Sequence, residues 1–202
     1  MDLDHIVVAG ATLQEATAMA EDALGVSLVA GGKHAAFGTH NRLLGLDDGF
    51  YVEAIAIDPE APPPDRPRWF DLDAFAGPAR PTNWVCRTRN LAELLQHLPG
   101  IGTPMALARG DLRWQMAVPD TGRLPFDNLC PALIEWQGDL HPSQMLAPSG
   151  CRLKRLVISH PEAADLSSLL AHWLTDARLA FVSGPAGLSA EIDTPHGLRT
   201  LG

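Results

Sequence analysis

A strand followed by a helix occurs twice in this chain, and this repeat constrains the fold more than any other feature. When the sequence is shifted by 78 positions, segment 4–15 lies over segment 82–93 without a gap. Thr12 and Asn90 then coincide, and each has a glutamate three residues later. A polar N-cap followed at that spacing by glutamate is typical of the first turn of a helix. The repeat therefore predicts an internal duplication of a small folding unit.

Each copy is predicted to fold as a strand, a helix and three further strands. In the first copy the predicted strands are 3–8, 26–30, 39–46 and 50–57, with turns at Gly31–His34 and Asp47–Gly49. In the second copy the later strands are 104–108, 111–118 and 132–137. A third, shorter set follows, with a strand at 153–159, a helix from Pro161, and strands at 178–183, 188–193 and 197–201.

Proline-rich segments separate these sets. Five prolines in 58–68 exclude a central strand or a helix interior there. The predicted organisation is a first unit with its Pro-rich linker at 1–77, a second unit at 78–149, and a third unit at 150–202 packed on the same domain. The loop 120–130 has two possible roles, a plain connection or a lid over the cleft. Its length is unusual for a plain connection.

Three predicted strands each carry one ionisable residue on a face that is otherwise apolar: His5, Glu53 and Glu135. If these side chains face inward they need partners, because an unpaired buried charge is strongly unfavourable. One partner is a shared cation or polar ligand. The other is an ordinary ion pair within the protein, for example with Arg42 or Arg113.

Short motifs along residues 3–175 together resemble one known superfamily. They are Leu3-Asp4-His5-Ile6-Val7-Val8, Gly38-Thr39-His40-Asn41, Tyr51-Val52-Glu53, Arg68-Trp69-Phe70, Leu124-Pro125-Phe126 and Leu133-Ile134-Glu135-Trp136. This order resembles the vicinal-oxygen-chelate superfamily, and within it the glyoxalase-like domain subgroup. The resemblance implies an α+β fold in which tandem βαβββ units form curled mixed sheets around a cleft. The C-terminal residues add a third, shorter βαβββ-like unit.

The resemblance also implies a metal site. In metal-dependent members the ligands come from the first and last strands of each unit, which correspond here to His5, Glu53, Asn83 and Glu135. Asn83 is a weak neutral ligand, so the expected set is His5, Glu53 and Glu135 around a divalent ion such as Zn, Ni, Mn or Fe. This set leaves positions open for substrate oxygens. Glu53 and Glu135 are also the expected catalytic carboxylates.

The expected substrate-binding residues are His40, Asn41, Asn83 and Phe126. His40 follows from strand alternation and the family motif, although a histidine beside a hairpin needs no function. His34 lies in a predicted turn and His141 in a linker, and neither is assigned a role. Arg68-Trp69-Phe70 is interpreted as packing, and Trp136 as core or cavity lining.

Charge and composition exclude several classes of function. The formal net charge of −9 argues against nucleic acid as a partner. No apolar run reaches the roughly 20 residues of a membrane span, and Asp2 and Asp4 interrupt any leader-like stretch. Three cysteines without close spacing are interpreted as reduced thiols of a cytoplasmic protein.

The predicted function is a glyoxalase-like, divalent-metal-dependent enzyme of lyase, isomerase or dioxygenase type acting on a small oxygen-bearing substrate. The alternative is a metal-free, drug-sequestering protein of the same fold. A third interpretation is a structural module whose cleft is filled by its own side chains. The sheet edges of the third unit also suggest a homodimer.

Overall fold

The computed structural model describes residues 1–47 and 49–202. Asp48, which belongs to the predicted turn Asp47–Gly49, lies outside the described residues. The helices are α1 (Leu13–Leu24), α2 (Leu91–Leu94), α3 (Pro142–Met145) and α4 (Ala163–Leu170). The strands of the first unit are β1 (Asp2–Ala9), β2 (Val29–His34), β3 (Thr39–Leu46) and β4 (Phe50–Ile57). Those of the second are β5 (Arg80–Arg87), β6 (Thr103–Arg109), β7 (Leu112–Val118) and β8 (Ala132–Gln137). Those of the third are β9 (Arg152–Ser159), β10 (Leu179–Val182), β11 (Gly187–Thr194) and β12 (Gly197–Leu201).

The first two units join in one sheet of eight strands, in the order β2-β3-β4-β1-β5-β8-β7-β6. The first strands of the two units, β1 and β5, pair antiparallel at its centre. In each unit the last strand pairs parallel with the first. The two edge strands β2 and β6 approach each other, so the sheet is curled. The predicted α+β class with tandem βαβββ units is confirmed.

The equivalent caps that revealed the repeat are formed in both helices. The backbone N–H of Glu15 donates to Thr12 Oγ1, and that of Glu93 donates to Asn90 Oδ1, each at 3.2 Å. The helix α1 ends at Gly25, which has the left-handed φ of 70° that glycine accepts without strain. The helix α2 is only one turn long, although Leu98 beyond it is buried as its apolar spacing predicts.

The predicted turn Gly31–His34 is wrong, because these residues belong to β2. The pairing of β2 with β3 shifts between Ala30 and Lys33, so the two glycines form a bulge within the strand. Paired glycines usually mark a turn. Here they mark a close approach of side chains from neighbouring strands, described below.

The third unit has the predicted order of one strand, one helix and three strands, but its pairing differs. Its sheet has the order β10-β9-β11-β12, so the strand after the helix pairs parallel with the first strand. The third unit shares one hydrophobic cluster with the main sheet, to which Leu156 and Ile192 belong. The boundaries at 77/78 and 149/150 stay predictions.

All three cysteines are free and buried, in agreement with reduced thiols. Burial raises the pKa of Cys130 to about 12, which leaves this thiol unreactive at neutral pH. Within residues 1–47 and 49–202, no helix combines the length and apolar character needed to cross a membrane. The homodimer and the cytoplasmic location stay predictions.

Candidate functional site

The curled sheet surrounds one cleft, which we call the central cleft. The first unit contributes His5 from β1, Asn41 from β3 and Glu53 from β4. The second unit contributes Arg109 from β6 together with Trp114, Trp136 and other apolar side chains of β7 and β8. Charged groups and aromatic walls thus face each other across the junction of the two units.

Asp4 and His5 form the centre of a buried polar network. His5 Nδ1 lies 2.6 Å from Asp4 Oδ1, and His5 Nε2 lies 3.4 Å from Glu53 Oε2. Asp4 Oδ2 also accepts hydrogen bonds from Trp136 Nε1 and His141 Nε2, both at 2.9 Å. Strict alternation predicts Asp4 on the face opposite His5. Instead it joins the same network, and the β1–β5 register shifts between Leu3 and His5 at this point.

The network favours the charged form of all three groups. Burial acts against the charge of His5, but Asp4 and Glu53 outweigh it and raise its pKa to about 9. Burial likewise acts against the charge of Glu53, but the hydrogen bond and charge of His5 lower its pKa to about 2. Burial also acts against the charge of Asp4, but its hydrogen bonds with His141 and His5 hold its pKa well below the usual range. An imidazolium therefore lies between two carboxylates.

Asn41 links the Glu53 carboxylate to the other side of the cleft. Its Nδ2 donates to Glu53 Oε1 at 2.5 Å. Its Oδ1 accepts from the backbone N–H of Gly32 at 2.7 Å and lies 3.4 Å from Arg109 Nη1. These partners fix which end of the amide faces which charge, since the nitrogen can only donate and the oxygen can only accept.

Arg109 reaches the cleft beside His34. Its Nη1 lies 3.0 Å from His34 Nε2, which must accept because a guanidinium has no lone pair to offer. His34 Nδ1 therefore carries the proton and faces Thr39 Oγ1 at 3.1 Å. Burial lowers the pKa of His34 to about 4, in keeping with this neutral state.

The two glycines of β2 make room for this arrangement. A Cβ on Gly31 would clash with the Asn41 side chain, and a Cβ on Gly32 would lie 2.6 Å from Arg109 Cδ. Neither glycine has a positive φ, so space rather than backbone conformation requires glycine here. The bulge therefore makes space for the side chains of Asn41 and Arg109.

Aromatic rings enclose the polar groups. The ring of Tyr51 stacks on His5 with centroids 4.4 Å apart. Trp69 contacts His34 edge to face and lines the cleft, so Arg68-Trp69-Phe70 does more than the predicted packing. The free volume that remains in the cleft is small, about 30 Å³.

A second pocket adjoins the central cleft. It has a volume of about 220 Å³ and shares His34, Trp69 and Trp114 with the cleft. Its other lining residues include Ala36 and Leu107, which are apolar. We call it the outer pocket. A small polar compartment and a larger apolar one are thus separated by three rings.

The structure brings together three of the predicted site residues, His5, Asn41 and Glu53, and places Glu135 elsewhere. Glu135 Oε2 accepts the backbone N–H of Leu91 at 2.7 Å, at the N-terminus of α2. The reason is alternation along β8, in which Ile134 and Trp136 face the cleft and Glu135 faces the helix. The predicted ligand set of His5, Glu53 and Glu135 is therefore not assembled.

The other predicted substrate-binding residues also lie outside the central cleft. His40 points away from Asn41, its neighbour on β3, and does not line the cleft. Asn83 Nδ2 donates to the backbone oxygen of Asn128 at 3.0 Å, and Asn128 Nδ2 donates to Asn83 Oδ1 at 3.2 Å. Phe126 packs edge to face on His160 of the third unit.

These contacts anchor the loop 120–130, for which a plain connection and a lid are the two predicted roles. Trp84 Nε1 donates to the backbone oxygen of Leu129 at 2.7 Å, and Asn128 Nδ2 donates to that of Phe70 at 3.0 Å. Phe126, Asp127 and Asn128 all have positive φ values, which only such fixed contacts sustain. The loop connects the second unit to the Trp69 segment and to the third unit.

The cleft does not offer the donor set of a metal centre. Protein sites for divalent transition metals use three or four protein ligands. Among the described residues, no group of three His, Cys, Asp or Glu side chains is arranged to hold a metal ion. Both nitrogens of His5 already face carboxylates, and the Asn41 oxygen faces the Arg109 cation.

Sequence reasoning missed Asp4, His34, Arg109 and His141. Asp4 and His141 depend on a register shift and on a linker returning to β1, which no local pattern predicts. The pair Gly31-Gly32 in a strand was the one available sign, since such glycines indicate close approach by other groups.

The comparisons with known proteins agree with this architecture. Two βαβββ units around a shared cleft define a protein of the vicinal-oxygen-chelate type. The sequence model of the glyoxalase-like domain family matches residues 3–174, and the chain belongs to this family. The predicted resemblance is confirmed. No curated protein sequence matches the chain.

Several solved structures match the chain at low sequence identity. A hypothetical protein from Staphylococcus aureus is 11% identical, with a TM-score of 0.56 over 98% of this chain and 83% of that one. A Mn(II)-bound glyoxalase from Novosphingobium aromaticivorans is 12% identical, with a TM-score of 0.49 over 98% of this chain and 80% of that one. Methylmalonyl-CoA epimerase from Mycobacterium tuberculosis is 18% identical, with a TM-score of 0.43 over 69% of this chain and 89% of that one.

Proposed function

We propose that this glyoxalase-like protein is an enzyme that enolises a small carbonyl compound in the central cleft. Its reaction is of the isomerase, epimerase or lyase type, in which a proton next to a carbonyl group is removed. Glu53 is the base, and His5 is the acid that serves the carbonyl oxygen. Asp4 positions His5 and balances its charge.

The observation that carries this proposal is the contact between His5 and Glu53. At 3.4 Å it is longer than an ordinary N–H···O hydrogen bond. A substrate oxygen can therefore take the N–H of His5 without breaking a strong bond. The shorter contact to Asp4, at 2.6 Å, keeps the ring in place while this happens.

The step balances as a proton transfer between two adjacent groups. A carboxylate oxygen of Glu53 takes the proton from the carbon, and the electron pair of that C–H bond forms the new carbon–carbon double bond. The carbonyl oxygen receives the proton of His5 Nε2, which gives a neutral enol, a neutral imidazole and a protonated Glu53. Proton return to the same or the neighbouring carbon completes the reaction.

A divalent metal is the other source of charge stabilisation for such a step. The residues of the cleft do not support it, because His5 and Glu53 have no third ligand among residues 1–47 and 49–202. The predicted metal dependence is therefore replaced in this proposal by the imidazolium of His5. The buried apolar walls exclude water and so strengthen the electrostatic interaction of that charge with the carbonyl oxygen.

The test is exchange of carbon-bound protons for deuterium, followed by NMR. The probes are pyruvate and 2-oxobutanoate, with acetone and 2-butanone as counterparts in which a methyl group replaces the carboxylate. The protein is expected to accelerate exchange of at least one probe over buffer, with or without EDTA. No acceleration of any probe would contradict the proposal, as would activity abolished by EDTA and restored by Mn²⁺.

Two variants assign the roles. Glu53→Gln is expected to lower the exchange rate by at least about 100-fold, the usual scale for a lost general base. Glu135→Gln is the matched control, since it changes the same residue type on the equivalent strand but outside the cleft. His5→Gln is expected to slow exchange less, because Arg109 leaves one cation in the cleft.

A binding protein without catalysis is the second candidate, favoured by the three tryptophans Trp69, Trp114 and Trp136 that line the cleft. Such a protein binds an apolar molecule across the cleft and the outer pocket. It is recognised by saturable binding of an aromatic probe that quenches tryptophan fluorescence equally in wild type and Glu53→Gln, with no proton exchange.

A further inference from the structure

We infer that Arg109 binds a carboxylate of the substrate, so that the enzyme acts on small 2-oxo acids rather than on neutral carbonyl compounds. This inference rests on the proposed function and specifies its substrate class. It assigns to Arg109 the role of a specificity-determining residue in the second unit.

The first support is the set of partners around Arg109. Its guanidinium is part-buried in the cleft, and its hydrogen-bond partners His34 and Asn41 are both neutral. Among the described residues no carboxylate lies within ion-pair distance of it. Arg68 and Arg178, in contrast, pair with Asp73 and Asp176.

A part-buried guanidinium without an anion is an unusual arrangement. Removing such a charge from water is costly unless a partner compensates it, and a planar carboxylate matches the guanidinium through two parallel hydrogen bonds. An anionic ligand entering the cleft would supply this missing partner.

The second support is the space that β2 provides. Gly32 leaves room for the Arg109 stem, since a Cβ there would lie 2.6 Å from its Cδ. Gly31 leaves room for the Asn41 amide in the same way. The bulge therefore leaves the space in which the Arg109 side chain reaches the cleft.

The third support is the amide that lies between Arg109 and the reacting groups. A single amide group, that of Asn41, separates Arg109 from Glu53. Direct neutralisation of the arginine by the glutamate is prevented, and both charges remain available. A 2-oxo acid, whose carboxylate is bonded directly to its carbonyl carbon, is the simplest ligand that presents one group to Arg109 and the other to His5 and Glu53.

The outer pocket is consistent with such a substrate. The polar end of a 2-oxo acid occupies the small central cleft, and an apolar side chain can pass His34 and Trp69 into the outer pocket of about 220 Å³. Short 2-oxo acids and those with a modest apolar tail are the expected ligands.

The test is calorimetric titration of the wild-type protein with pyruvate and 2-oxobutanoate, and with acetone and 2-butanone. The acids are expected to bind and the ketones to bind at least about tenfold more weakly, as expected for loss of a charge-assisted pair. Arg109→Gln is expected to weaken binding of the acids by about 10- to 100-fold and to leave the ketones unchanged.

Controls separate a lost charge from a disturbed fold. Arg109→Lys keeps the charge and is expected to retain part of the affinity. Arg113→Gln is the matched control, because Arg113 lies on the same hairpin but is exposed and bonded to backbone carbonyls of its own turn. It is expected to bind both acids as the wild type does.

Equal binding of acids and ketones, no binding of the acids, or full affinity in Arg109→Gln would overturn the inference. Its failure is distinguishable from that of the proposed function. Glu53→Gln should lose proton exchange while still binding acids through Arg109. Rapid exchange of ketones, insensitive to Arg109→Gln, would reject the inference and leave the enolising enzyme standing.

Discussion

The last strands of the two units have similar sequences, but their glutamates lie in different environments. Tyr51-Val52-Glu53 in β4 directs its glutamate into the central cleft, next to His5. Leu133-Ile134-Glu135 in β8 directs its glutamate to the opposite face, where it caps α2. The difference is one residue of register, because neighbouring side chains of a strand point to opposite faces.

The comparison extends to the whole units. The first unit supplies the charged network of Asp4, His5 and Glu53, whereas the second supplies aromatic walls and one cation, Arg109. The duplicated scaffold is thus asymmetric, and in the proposed function the reacting groups lie on one half and substrate recognition on the other. The predictions below test this division.

Asp4→Ala should produce the largest change in stability. Asp4 is fully buried and accepts hydrogen bonds from His5, Trp136 and His141. Its removal leaves His5 without its closest partner, and we expect a loss of about 3–5 kcal/mol in the free energy of unfolding, measured in urea. Asp2→Ala, at an exposed position of the same strand, is the control. A loss below about 1 kcal/mol for Asp4→Ala would show that the network is not essential to the first unit.

The pH dependence of stability should also originate in the first unit. The pKa of Glu53 falls from 4.5 to about 2, so its contribution is complete above pH 4.5 and is lost as the pH falls through about 2. The pKa of His5 rises from 6.5 to about 9, so its contribution is complete below pH 6.5 and is lost as the pH rises through about 9.

Neutral His34 adds to the loss at low pH, because its pKa falls from 6.5 to about 4 and its contribution is complete above pH 6.5 and lost as the pH falls toward 4. Urea unfolding from pH 2 to pH 10 should therefore show maximal stability near pH 6.5, with a decline on both sides on the order of 2 kcal/mol. The double variant His5→Gln/Glu53→Gln should reduce the declines above pH 6.5 and below pH 4.5. Stability that rises between pH 6.5 and 9 would contradict the charged network.

Glu135→Ala should have a small and purely structural effect. The backbone N–H of Leu91 loses its carboxylate acceptor, which costs about 1 kcal/mol for a helix cap. Urea unfolding measures the loss, and proton exchange should stay at the wild-type rate. If the exchange rate falls by more than the loss of folded protein, Glu135 contributes to catalysis and the account is contradicted.

Repetition and periodicity predicted the architecture because both are local properties of the sequence. The caps at Thr12 and Asn90 and the alternation of the strands were enough to indicate two βαβββ units. His5, Asn41 and Glu53 were also identified, since each is polar within an apolar strand or a family motif.

The remainder of the site depends on information that is not local. Which face of β8 turns to the cleft is set by its pairing with β5 and β7, so Glu135 could not be separated from Glu53 by its neighbours in sequence. Arg109 and His34 meet only because the sheet curls and brings β6 to β2. Gly31 and Gly32 leave room for that contact, but the sequence alone does not show that Asn41 and Arg109 occupy the space.

The measurement that tests the central claim most directly is the rate of deuterium exchange into pyruvate for Glu53→Gln and Glu135→Gln, each normalised to its folded fraction. The division between the two units predicts a loss of at least about 100-fold for the first variant and a wild-type rate for the second. Equal losses, or a loss confined to Glu135→Gln, would contradict it.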